Sequence, residues 1–235
     1  MNIKIWDITT GDNPRTFASH KKRITDIAMI EKGRNFVSSS LDGTIKLWDC
    51  GSGSNFCTLK RKESLNDGVT SVHITEKVKE TAGTETSSRY PEEFGTENKI
   101  LLAGHISGVI SGFDLCTKQE LFSVPSMGGS VESISGVHDQ SCHLIVGYSD
   151  GVVAKWDISD ISKPLKKFRI PGKNVINMSL DNSIGLISNE LSVFQIDNNL
   201  EQITLAKDDD QISGLKVGEK LYINTNFGDI FVYSK

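Results

Sequence analysis

Positive charge is not in excess in this sequence: 26 Lys and Arg stand against 30 Asp and Glu, a formal net charge of −4. A general nucleic-acid-binding surface carries a basic surplus, so no nucleic acid is expected as a partner. No apolar stretch reaches the roughly 20 residues that span a bilayer. Met1 is followed directly by the strand-like Asn2 to Asp7, without the basic flank and apolar run of an export signal, so neither membrane insertion nor secretion is read. The four cysteines, Cys50, Cys57, Cys116 and Cys142, are widely spaced and form no C-x-x-C pair. That usage favours reduced thiols over disulfides or zinc and points to a cytoplasmic and nuclear protein. Also missing are a phosphate-binding P-loop, a dinucleotide fingerprint and a zinc-protease motif, so no cofactor and no small-molecule substrate are expected.

Long helical periodicity is absent too. What the chain has instead is the alternation of strands, at its clearest in Gly33 to Asp49, GRNFVSSSLDGTIKLWD. Phe36, Ser38 and Ser40 alternate with Val37, Ser39 and Leu41; Asp42-Gly43 supplies a turn; Ile45, Leu47 and Asp49 alternate with Lys46 and Trp48. An apolar run from Ile24 to Ile30 precedes this hairpin and a shorter one, Asn55 to Leu59, follows it. Four strands in about 40 residues make one propeller blade.

The rest of the chain reads as copies of this stretch. The last hairpin strand of successive copies ends in Trp6-Asp7, Trp48-Asp49, Phe113-Asp114, Trp156-Asp157, Ile196-Asp197 and Tyr233-Ser234, separated by 42, 65, 43, 40 and 37 residues. Four of these five separations equal or fall slightly short of the ~40 to 45 residues of a WD-repeat unit. The long one marks an insertion in the third unit, Glu76 to Asn98, which is nearly free of aliphatic residues. Such a composition buries too little apolar surface to order itself. It is read as a flexible surface loop on the face opposite the hairpin turns, either a tolerated insertion or a docking or modification loop.

Residues 1–235 are thus expected to form a single all-β domain, a WD40-repeat β-propeller of about four complete four-stranded blades with partial blades at both ends. The two ends pool to three strands and two, where a blade needs four. This count predicts a fragment of a larger, seven-bladed propeller.

His20, Ser38, Asp42 and Trp48 have the spacing of the structural relay of a WD repeat. The indole N–H only donates, a serine hydroxyl accepts it and donates to one imidazole nitrogen, and the other imidazole N–H donates to a carboxylate. Ser, His and Asp also make up hydrolase triads, but a tryptophan-anchored relay holds the serine as a buried acceptor instead of an exposed nucleophile. No catalytic residue is assigned. In the fourth unit Asp150 and Trp156 keep the six-residue separation, but Val146 replaces the serine and no histidine precedes it. Gly104-His105 aligns on the second strand, away from the position of His20, and reads as a chance dipeptide.

The remaining candidate surface is formed by the hairpin turns and by the connections between one blade's outer strand and the next blade's inner strand. These connections are Lys21 to Arg23, Lys60 to Asp67, Pro125 to Ser130, Pro171 to Asn174 and Lys207 to Asp210, basic toward one end and acidic toward the other. They read either as solvated loops or as a polar protein interface. Candidate contacts, chosen by loop position, are Lys21, Arg23, Asn66, Ser149, Asn174 and Asp209, with Leu41 and Ile106 as apolar anchors beside the turns.

The wording of the first half goes beyond a generic repeat: NIKIWD, GDNPRT, His20, TDIAMIEKGRNFVSSSLDGTIKLWD, RKE, DGV, FGTENKILLAGHISGVI and GYSDGVVAKWD. From Asn2 to about Asp157 it closely resembles the C-terminal part of the proteasomal ATPase-associated factor family, WD-repeat assembly chaperones of the proteasome regulatory particle, fungal members above all. That resemblance implies a non-catalytic chaperone whose propeller holds the C-terminal domain of one proteasomal AAA ATPase subunit until the base is built, and hinders premature engagement of the proteolytic core. A WD-repeat scaffold of another complex is the alternative; an enzyme or nucleic-acid binder finds no support in the residues.

Overall fold

A computed structural model describes residues 1–63, 66–77, 90–136, 143–170, 177–181, 184–188, 193–196, 202–203, 212–217, 220–225 and 227–234. The chain divides into two compact units, Met1–Ser123 and Val124–Lys235.

The first unit begins with a two-stranded antiparallel sheet of β1 (Asn2–Ile5) and β2 (Arg15–Ala18). A four-stranded up-and-down sheet follows, β3 (Ile24–Ile30), β4 (Asn35–Ser40), β5 (Ile45–Asp49) and β6 (Asn55–Leu59). The next repeats it with β7 (Val69–Glu76), β8 (Lys99–His105), β9 (Ile110–Asp114) and β10 (Glu120–Val124). In the second unit β11 (Val131–Gly136), β12 (His143–Tyr148), β13 (Val152–Asp157) and β14 (Lys166–Arg169) form a third such sheet. The fourth is built from β15 (Asn177–Asp181), β16 (Ile184–Ser188), β17 (Val193–Ile196) and β18 (Gln202–Ile203). The last sheet has three strands, β19 (Ile212–Val217), β20 (Lys220–Thr225) and β21 (Ile230–Ser234). These are the blades of a WD40-repeat β-propeller, four of them four-stranded among the described residues.

The register shows why. In the reference blade Val37 faces Leu47 and Phe36 faces Trp48 across β4 and β5. Val37 and Leu47 are fully buried in the core between the two blades of the first unit, with Ile30, Leu59, Val69, Leu101 and Phe113. The opposite faces of β4 and β5 send Phe36 and Trp48 into a second core with Phe17 of β2, against which Ile3 and Ile5 pack. Inner strand β3 lies against inner strand β7, and in the second unit β11 lies against β15 and β15 against β19. Both faces of a central blade are therefore buried, which period-2 alternation of apolar residues alone does not require.

The turns obey one backbone rule. Gly43, Gly108, Gly151 and Gly228 have φ of 79°, 80°, 81° and 93°, the left-handed region that residues with a Cβ resist.

The insertion differs from the sequence reading along its last part. Its residues 78–89 lie outside the described residues, whereas Tyr90 to Asn98 is built into the fold. The side-chain amide of Asn35, fully buried at the start of β4, donates to the Glu92 carbonyl at 3.0 Å and accepts from the Phe94 N–H at 2.6 Å. Glu93 is buried and ion-paired to Lys118, and the Arg34 guanidinium lies 3.3 Å from the centroid of the Phe94 ring. Polar composition did not prevent packing here because Asn35 of the neighbouring blade and Lys118 of the same blade supply partners to the buried polar groups.

Candidate partner-binding face

The relay of the reference blade starts in the core and ends at the surface. Trp48 Nε1 donates to Ser38 Oγ at 2.8 Å, and Ser38 Oγ lies 2.8 Å from His20 Nε2. His20 Nδ1 is 3.0 Å from Asp42 Oδ2. Because the indole can only donate, the serine hydroxyl gives its proton to Nε2, and Nδ1–H is left to donate to the carboxylate. Asp42 also accepts from the Lys21 N–H at 2.8 Å and from the backbone and hydroxyl of Thr44 at 3.0 and 2.5 Å. Ser38 is 0% exposed, so its hydroxyl is a buried junction of two hydrogen bonds.

Burial lowers the proton affinity of His20, and the nearby Lys46 charge lowers it further; the hydrogen bond and charge of Asp42 oppose this, but the net direction is down. A protonated Nε2 would also force the Ser38 oxygen to accept from both imidazole and indole, leaving the hydroxyl proton without its partner. For Asp42, burial raises the carboxyl pKa, yet the hydrogen bonds from Thr44, Lys21 and His20 outweigh it and hold the group well below the usual carboxylate range.

A second polar cluster belongs to the next blade. His105, buried at the end of β8, sits 2.8 Å through Nε2 from Ser111 Oγ and 3.8 Å through Nδ1 from Asp67 Oδ2. Asp67 pairs with Arg61 at 3.1 Å and accepts from the Ser107 N–H at 3.0 Å. Burial, with Arg61, lowers the pKa of His105 despite the Asp67 charge. The dipeptide Gly104-His105 is thus part of a network. It was not readable because Asp67 lies far from His105 in sequence and the carboxylate comes from the connection, not from the turn. In the reference blade the turn's Asp42 accepts from the connection; here the turn's Ser107 donates to it.

Both histidines are held neutral below the ordinary range, so near pH 6.5, the usual value in an unfolded chain, the unfolded state binds more protons than the folded one. Stability should be flat above about pH 7 and should fall as pH is lowered through about 6.5 toward 5. Thermal melts across that window check this; a melting temperature that stays level or rises on acidification would contradict the buried, neutral assignment.

These networks position the turns. The Leu41 N–H donates to the Arg23 carbonyl, the Ile106 N–H to the Gly68 carbonyl and, in the second unit, the Ser149 N–H to the Ser130 carbonyl, each at 2.9 Å. In each blade the turn is thereby tied to the residue just before its own inner strand. Leu41 and Ile106 flank Gly68, where a Cβ would come within 3.2 Å of Leu41 Cα and 2.7 Å of Ile106 Cδ1; Ile106 is 51% exposed. Lys21 and Asn66 meet across a cavity of about 330 Å³, lined also by Ser19, Lys22, Asp42, Thr44, Lys46 and Lys60. Of the residues expected at the interface, the first unit brings Lys21, Leu41, Asn66 and Ile106 to its turns and connections. Arg23 is exposed beside them, with its carbonyl in the turn tie. Ser149 occupies the equivalent turn of the second unit, and Asn174 and Asp209 lie outside the described residues. Lys46 escaped the sequence reading, which placed Lys60 in a connection of this face but did not join it to a lysine on β5.

The WD domain, G-beta repeat family matches residues 11–49, the stretch that carries the whole relay. Over 185 residues the chain is 38% identical to the 26S proteasome regulatory subunit RPN14 of Saccharomyces cerevisiae, an alignment covering 75% of this chain and 43% of that protein. The chain thus carries a WD-repeat match and is similar to RPN14 over three quarters of its length. Its WD repeats are also similar to the target of rapamycin complex subunit LST8 of the same yeast, 37% identical over 71 residues, or 29% of this chain and 23% of that one. With pre-mRNA-processing factor 19 of Oryza sativa subsp. japonica the identity is 25% over 193 residues, 72% of this chain and 35% of the relative. The chain spans less than half the length of each of these curated relatives.

Proposed function

We propose that this chain is a non-catalytic, protein-binding WD-repeat propeller that acts in the cytoplasm and nucleus as an assembly chaperone for the proteasome regulatory particle base. In this reading it holds the C-terminal domain of an ATPase subunit. The observation that carries it is the 38% identity to a proteasome regulatory subunit over 75% of the chain, a span well beyond one repeat. The buried Ser38 supports the non-catalytic part, since its hydroxyl is committed to Trp48 and His20 and is closed to a substrate. The tied turns supply a prepared surface in which Leu41 and Ile106 offer apolar contact and the lysine-bearing connections offer charge.

Similarity to LST8, a subunit of a different complex by its name, favours a second reading, a scaffold in another assembly. The tagged full chain, incubated with the separately produced C-terminal domain of each proteasomal ATPase, should retain one of them and leave the rest in solution. Retention of none would overturn the chaperone reading and leave the scaffold.

A further inference from the structure

The geometry points to the cavity bounded by Lys21, Lys22, Lys46 and Lys60 as the seat of an acidic segment of the bound partner, a run of neighbouring Asp or Glu carboxylates. Its lysines come from three parts of the first unit: the connection after β2, the strand β5 and the connection after β6. Four lysines line it in a chain whose net charge is −4, and among the described residues the one carboxylate in the lining, Asp42, already accepts hydrogen bonds from His20, the Lys21 N–H and Thr44. Among the described residues none of the four lysines forms an ion pair; the recorded side-chain partner of Lys46 is the Thr58 hydroxyl at 3.2 Å. With four lysines against a single ionised carboxylate, the like charges still repel one another, and an incoming anion relieves that repulsion as well as being attracted.

Size and donor type select the kind of anion. A volume of about 330 Å³ exceeds what one small ion fills and is at the lower end of ligand-sized cavities. Geometrically specific phosphate recognition draws on arginine forks or on converging backbone N–H groups, whereas lysine binds phosphate only as a point charge. Among the described residues no arginine lines this cavity, and the Lys21 N–H is spent on Asp42. Lysines are flexible point charges that suit several carboxylates without demanding bidentate geometry. The relay holds the wall still, because Asp42 joins the Lys21 backbone to the core through His20 and Trp48.

This inference rests on the protein-binding reading but does not require the partner to be proteasomal. The test is fluorescence anisotropy of the full chain with a labelled peptide carrying a run of glutamates, against the same peptide with glutamines. The glutamate peptide should bind, weaken steeply as salt is raised through about 0.15 M, and lose roughly tenfold or more in affinity to Lys22→Glu/Lys60→Glu, which reverses two exposed charges. Thermal melts of that variant should match the parent chain. Equal binding of the glutamine peptide, unchanged affinity in the variant, or displacement by inorganic phosphate at lower concentration than by unlabelled glutamate peptide would each overturn the assignment. Capture of an ATPase domain with no peptide binding removes only the acidic segment, whereas peptide binding with no ATPase captured removes only the proteasomal partner.

Discussion

Trp48→Ala is expected to cost about 3–5 kcal/mol of stability, the range for deleting a large buried aromatic ring. The indole is 2% exposed, with its centroid 5.6 Å from that of Phe17 and 6.1 Å from that of Phe36, on which it is stacked. Truncation opens a void between β2 and the reference blade and leaves the Ser38 oxygen without the donor that anchors the relay. Urea unfolding should show the loss as a lower midpoint. Replacement by phenylalanine separates ring from hydrogen bond. Trp48→Phe keeps an aromatic filler but removes the N–H, adding about 1 kcal/mol for the lost hydrogen bond. Trp156 occupies the same register position in the fourth unit, opposite Leu144 as Trp48 is opposite Phe36, but among the described residues its buried N–H has no hydrogen-bond partner. Trp156→Phe should therefore cost less than Trp48→Phe, and an equal or larger cost would mean that the indole N–H in the relay contributes nothing.

The second large effect is expected from Asp42→Ala, about 1–3 kcal/mol, the penalty for leaving buried donors unpaired. One carboxylate here accepts from the His20 imidazole, the Lys21 N–H and both the N–H and hydroxyl of Thr44. Water reaches the Lys21 end more easily than the His20 end, since His20 is 5% exposed and Lys21 is on the surface. The loss should therefore come mainly from the imidazole. Amide hydrogen exchange should show reduced protection at Lys21 and Thr44 while the strands around Val37 and Leu47 keep theirs. A melt unchanged by the substitution would show that the relay does not support the blade.

Both effects arise from a stretch whose structure is legible residue by residue. Phe36, Val37, Leu47 and Trp48 alternate because a pleated strand sends successive side chains to opposite faces, and Asp42-Gly43 marks the turn because only glycine adopts its φ without strain. The relay could be proposed from spacing, since indole, hydroxyl, imidazole and carboxylate have fixed donor and acceptor roles. Other features gave no such local sign. Glu93 reads as one more solvated acid until Lys118 closes over it, and Asn35 reads as a strand residue until its amide takes up the backbone of Glu92 and Phe94. His105 lacks a readable partner because Asp67 lies far from it in sequence, in the connection before β7.

By its own pattern, then, the sequence determined the strands, their turns, the blade repeat and the tryptophan relay, all of which depend on residues within one repeat and on periodicities the backbone imposes. The tertiary structure alone decided which polar residues far apart in sequence meet: the anchoring of Tyr90 to Asn98, the network of Arg61, Asp67 and His105, and the gathering of Lys21, Lys22, Lys46 and Lys60 around one cavity. The physical reason is range. Alternation and turn chemistry act between neighbours along the chain, whereas a buried charge or an open cationic cavity exists only once distant segments have been packed into contact.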